Sequence, residues 1–154
     1  MRLVRSRRES IQSVFRWIAA VVFCGGMSGC ESGTGNTETD AKTRLTKLLR
    51  LYQFFGAKNN SKGPANEQQL REFAAKLTPQ ELDEQMIGNE LDTLFVSSRD
   101  MQPFVIKYGL VLRAGGETRA VAWEATGEHG KRYVALSMGY VEEYDEEAFK
   151  EYNK

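Results

Sequence analysis

From Ala41 to Phe55 the apolar positions Ala41, Leu45, Leu48, Tyr52 and Phe55 recur at three- and four-residue spacing, with Leu49 and Leu51 widening the stripe. That period predicts an amphipathic helix capped by Asp40 and ended at Gly56. After the polar turn 59–64, Asn66 with Gln69 predicts a capping box for a second helix whose inner face is Leu70, Phe73, Ala74 and Leu77. Thr78-Pro79-Gln80-Glu81 opens a short third helix to about Met86. From Pro103 the period falls to two: Phe104, Ile106, Tyr108 and Leu110 alternate with Val105, Lys107 and Gly109. A turn at Ala114 to Glu117 leads into Arg119–Ala125, where Val121 and Trp123 are expected on one face, and Gly127-Glu128-His129-Gly130 turns the chain into Lys131–Met138. The expected fold class is therefore α+β, with two or three N-terminal helices on a three-stranded antiparallel meander and a short C-terminal helix capped by Asp145 and running to Tyr152.

Before this periodic region lies a different pattern. Arg2, Arg5, Arg7, Arg8 and Arg16 precede an apolar run from Trp17 to Met27, followed by Ser28, Gly29 and Cys30. The run would cover only about 16 Å at 1.5 Å per residue, whereas a bilayer core of roughly 30 Å needs about 20 residues. A charged head, a short apolar core and small residues form an export signal. The whole resembles the signal of bacterial lipoproteins, cut by signal peptidase II before an acylated cysteine. Met27 stands where Leu is usual, and Met27, Ser28 and Gly29 form the cleavage box. The resemblance implies diacylglyceryl and N-acyl (palmitate-type) chains on Cys30, hence a membrane anchor facing the periplasm of a cell envelope. Glu31 is not the Asp that retains such proteins at the inner membrane, which favours the outer one. An uncleaved signal anchor is opposed by Gln12 and Arg16, which interrupt the apolar run, and the remaining alternatives are ordinary cleavage leaving Cys30 free and a misplaced start. Ser6-Arg7-Arg8-Glu9-Ser10-Ile11 partly resembles the twin-arginine signal for export of folded proteins, so either export route stays open.

This reading divides the chain into a removed signal (1–29), a lipidated cysteine with flexible tether (30–40) and one domain (41–154). Cleavage removes five arginines and one glutamate, leaving 16 basic and 20 acidic groups, a net charge of −4. An acidic domain predicts neither nucleic-acid binding nor charge-driven adhesion to anionic lipid. Cys24 leaves with the signal and Cys30 becomes a thioether, so no thiol is left for a disulfide, metal site or nucleophile. Stability has to come from packing, to which 13 aromatic residues from Tyr52 to Tyr152 contribute.

Catalytic chemistry has few candidates. His129 is the only histidine and lies in a glycine-flanked turn, where a general base has no fixed geometry. Glu124 with Glu117 or Glu128 are the carboxylates available on the meander, and Gly115-Gly116 reads as a hairpin turn. Glu142, Glu143, Asp145, Glu146 and Glu147 lack the spacing and central glycine of a calcium loop and read as a solvated junction favouring the helix dipole. No cofactor and no metal site are expected. The aromatic residues Tyr140, Tyr144, Phe149 and Tyr152 cluster near the C-terminus; docking of a terminal helix onto the sheet is the favoured reading, and an exposed patch of partner contacts is the alternative.

A second likeness lies in Ser98-Arg99-Asp100-Met101-Gln102-Pro103-Phe104-Val105-Ile106 between a leading helix and a small meander. It is similar to the globular part of type II secretion pseudopilins, where an Asp-x-x-Gly-x-Pro-Tyr segment enters the sheet. The chain departs from that pattern in having no prepilin cleavage site, no Glu early in a long apolar helix and no Gly before Pro103. The expected function is a lipid-anchored, non-catalytic interaction domain with a protein or envelope partner, the alternatives being small-ligand binding and a pseudopilin-like secretion role.

Overall fold

The computed structural model describes residues 34–112 and 115–153; the export segment and Cys30 lie outside the described residues. The elements run α1 (Thr34–Lys58), α2 (Glu67–Lys76), α3 (Pro79–Glu84), β1 (Val105–Ile106), β2 (Ala120–Trp123), β3 (Lys131–Leu136), β4 (Val141–Asp145) and α4 (Glu146–Tyr152). The fold is α+β, with one antiparallel sheet in the order β1-β2-β3-β4.

The 25 residues of α1 extend about 36 Å at 1.5 Å per residue. Leu45, Leu48, Leu49, Leu51, Tyr52 and Phe55 are all buried on one side, each contributing roughly 1.5–3 kcal/mol. The helix begins at Thr34, so Thr34–Asp40, expected in a flexible tether, are helical. A helix nucleated by its buried residues propagates cheaply into its flank. Asp40 here pairs with Arg44 at 2.7 Å instead of capping, and the Thr43 hydroxyl donates to the Thr39 carbonyl. At the other end α1 runs past Gly56, where a Cβ would find Leu112 at 3.4 Å, and turns through the left-handed Asn60 and Ser61.

The Asn66 carboxamide accepts from the Gln69 N–H, but Gln69 reaches back to the Ala65 N–H, one residue beyond the expected box. Thr78 and Glu81 form the full reciprocal box, and α3 ends at Glu84, before Met86 adopts φ 52°.

The sheet has four strands rather than three. The first strand is cut to two residues because the chain beyond it spends its backbone groups elsewhere. The Tyr52 hydroxyl donates to the Lys107 carbonyl and accepts from the Leu110 N–H, while Gly63 and Pro64 exchange hydrogen bonds with Leu110 and Gly109. Gly63 is needed there, since a Cβ would stand 2.1 Å from the Tyr52 hydroxyl. Burial pushes that hydroxyl up to about 12, against the lowering effect of the Leu110 N–H. The additional strand, β4, pairs along its length with β3.

A register shift between Ala120 and Ala122 corrects the expected face of Trp123. The bulge turns Val121 and Ala122 to the same side, so Trp123 lies opposite Val121. Val121, Ala122, Tyr133, Ala135 and Val141 join the core under α1, while Ala120, Trp123, Val134, Leu136 and Phe149 form a second core under α4. The result is three layers, α1, sheet, α4.

Candidate functional site

Tyr144, Phe149 and Tyr152 gather where β4 passes into α4, whereas Tyr140 stands at the other end of β4. Asp145 caps α4 by accepting the Ala148 N–H at 2.9 Å, and Glu146 and Glu147 occupy the first turn, where the helix dipole favours them. This cap directs Phe149 inward, where it packs against Trp123 at 5.3 Å beneath the Arg132 guanidinium. Phe149 is 5% exposed and belongs to the core. Tyr144 and Tyr152 remain half-buried, with ring centroids 5.0 Å apart, and Tyr140 is 43% exposed in the β3–β4 turn. Tyr144 donates to Glu142 at 2.7 Å; desolvation first, then its hydrogen bonds with Glu142 and Tyr152, raise its pKa.

The acidic run is a strand and a helix start, and its carboxylates are divided among different partners. Glu142 takes the Tyr144 hydroxyl, Glu143 the Arg99 guanidinium, Asp145 the α4 cap and Glu146 the Arg132 guanidinium. Among the described residues no three His, Cys, Asp or Glu side chains converge as metal ligands.

Glu124 occupies an environment that periodicity did not reveal. It has no exposed surface, and it accepts from the Ser97 hydroxyl at 2.7 Å, Arg99 at 2.8 Å and the Tyr133 N–H at 2.9 Å. Arg99, 3% exposed in its side chain, also pairs with Glu143 at 2.7 Å, donates to the Lys131 carbonyl at 3.0 Å and lies 4.4 Å over the Tyr133 ring. Burial works to lower its pKa, and the surrounding Glu143 and Glu124 outweigh it, so the net shift is upward. Beside it Asp100 accepts from the Thr126 and Gly127 N–H groups in the β2–β3 turn and from Gln102. Burial works to raise the Asp100 pKa, but those three backbone donors and Ser97 together hold it below the usual range. The one sequence signal for this network was Glu124 itself, an acid set between Trp123 and Ala125 in an otherwise apolar strand, which demands a partner.

The structure does not bring the other sequence candidates to Glu124. Glu117 pairs with Arg119 at 3.0 Å on the surface. Glu128 stands 3.6 Å from His129, whose side chain is 89% exposed and whose backbone is left-handed. Gly127 in that turn has φ 70°, and a Cβ there would meet the Lys131 carbonyl at 2.1 Å. Met27, Ser28, Gly29 and Cys30 lie outside the described residues. An open depression of about 460 Å³ separates the end of α1 from the β3–β4 turn, lined by Gln53, Gly56, Ala57, Ser61, Leu112 and Met138 among others. Among the described residues no helix is long and apolar enough to cross a membrane. No family model, curated protein or solved structure matches the chain.

Proposed function

We infer that the protein is a lipid-anchored component of a bacterial cell envelope, held by acylated Cys30, and that its domain is a non-catalytic binding module facing the periplasm. The observation that carries the reading is the order charged head, short apolar run, Ser28-Gly29-Cys30, placed directly before a folded domain. Two acyl chains hold a protein far more firmly than one. The binding surface is assigned to Tyr140, Tyr144 and Tyr152, because these keep exposed aromatic area while Phe149 docks α4. Glu124 is read as structural, since its oxygens already accept from Ser97, Arg99 and the Tyr133 N–H.

The test is capture of the detergent-extracted protein with its native envelope partners. A saturable partner is expected, and Tyr144→Ala or Tyr152→Ala is expected to weaken its retention about tenfold, the scale of a contact worth 1–2 kcal/mol. Retention unchanged in both variants would remove this surface from the proposal. The depression beside Leu112 and Met138 favours a second reading, carriage of a small apolar ligand. Ligand-dependent thermal stabilisation would favour that reading over the first.

A further inference from the structure

Between Ala41 and Lys58, α1 carries Lys42, Arg44, Lys47, Arg50 and Lys58 and no acidic residue, in a mature chain whose net charge is −4. The net charge predicts no adhesion to anionic lipid, but the fold segregates the charges. Arg44 is neutralised by Asp40. Lys47 and Arg50 make no ion pair with the described residues, and Lys42 reaches toward the Tyr133 ring at 5.9 Å. Lys42, Thr43, Thr46, Lys47 and Arg50 line a shallow depression on the N-terminal half of α1, with Met86 at its side and no carboxylate in its lining. Met86 is 62% exposed and held in a left-handed backbone conformation, presenting an apolar side chain beside the cations.

We propose that this cationic stripe docks on the anionic phospholipid head groups of the membrane that holds Cys30, laying α1 along the bilayer. The inference rests on the lipid-anchor reading and adds an orientation to it. Four residue steps from Cys30 to Thr34 span at most about 14 Å, so the start of α1 stays within reach of the head groups. With α1 laid along the bilayer, Lys42, Lys47 and Arg50 come within about one screening length of the surface, where each cation is attracted to an anionic leaflet. The Met86 side chain suits the boundary between head groups and acyl chains. Because α1 and α4 cover opposite faces of the sheet, docking through α1 turns Tyr144 and Tyr152 away from the membrane and toward the compartment.

The test uses the full lipidated protein in two liposomes, phosphatidylcholine alone and phosphatidylethanolamine with phosphatidylglycerol, and amine-reactive labelling read by mass spectrometry. Lys42 and Lys47 are expected to label several-fold less on the anionic liposomes and to recover in high salt, whereas Lys62, Lys76 and Lys150 label equally on both. In the double variant Lys47→Glu with Arg50→Glu, Lys42 is expected to lose its protection while the melting temperature stays near the parent value. Equal labelling of Lys42 and Lys47 on both liposomes overturns the proposal, as does protection of Lys42 that survives the double variant. Protection seen only in native envelope vesicles assigns the stripe to a protein and likewise overturns it. The same spectra report the mass on Cys30: an acylated Cys30 with unprotected lysines rejects the stripe alone, and an unmodified Cys30 rejects the anchor and the stripe with it.

Discussion

Glu124 and Arg99 cross-link the meander, through the Tyr133 N–H, the Lys131 carbonyl and Glu143. Both are enclosed, and their ion pair, together with Glu143 on the other guanidinium nitrogen, offsets their desolvation. Glu124→Ala leaves a guanidinium in the interior with half its anionic partners gone and takes one acceptor from the Ser97 hydroxyl. A loss of about 3–5 kcal/mol is expected from urea denaturation midpoints. Asp100 sets a pH dependence of definite sign. Its folded-state pKa is depressed, so its contribution is present above the unfolded value of about 4 and disappears as pH falls through the folded value. Asp100→Asn is expected to cost about 1–3 kcal/mol at neutral pH and to flatten the loss of stability below about pH 4, measured as midpoint against pH. A steeper acid loss in the variant would contradict this. The Ser98-Arg99-Asp100 segment was visible in the sequence as a distinctive run before Pro103. Its partners were not, because Glu124 and Glu143 lie 25 and 44 positions away and only strand register brings them together.

Elements differ in how far they stand alone. Thr78-Pro79-Gln80-Glu81 carries its own cap, so α3 begins where local chemistry dictates. Seven residues of α4 are too few to hold a helix in water, and Asp145 supplies only its first hydrogen bond. Phe149 against Trp123 is what keeps α4 on the sheet. Phe149→Ala is expected to cost about 3–5 kcal/mol and to raise hydrogen exchange selectively in Glu146–Tyr152. The strand β4 escaped sequence reading because Glu142, Glu143 and Asp145 give it little apolar alternation; it is an edge strand whose polar side chains have their own partners. The first strand was overestimated for the opposite reason. Its alternation persists to Leu110, but the Tyr52 hydroxyl and the Gly63-Pro64 segment take hydrogen bonds a neighbouring strand would have used.

At the scale of the molecule, the three layers separate two surfaces, a cationic α1 and an aromatic, acidic β4–α4 side. The anchor reading makes a direct prediction here. Cys30→Ala is expected to move the protein from the membrane to the soluble envelope fraction and to abolish the acyl adduct seen by mass spectrometry. Continued co-fractionation with membranes by an unacylated protein would contradict the anchor. The sequence by itself determined what depends on near neighbours along the chain: the amphipathic period of α1, the caps of α2, α3 and α4, the glycine turn around His129, and the α+β class. The bulge that places Trp123 opposite Val121 and the burial of Glu124 with Arg99 were decided only by tertiary structure. Each depends on groups far apart in sequence competing for the same hydrogen bonds, space and solvent, and a linear pattern carries no record of which competitor wins.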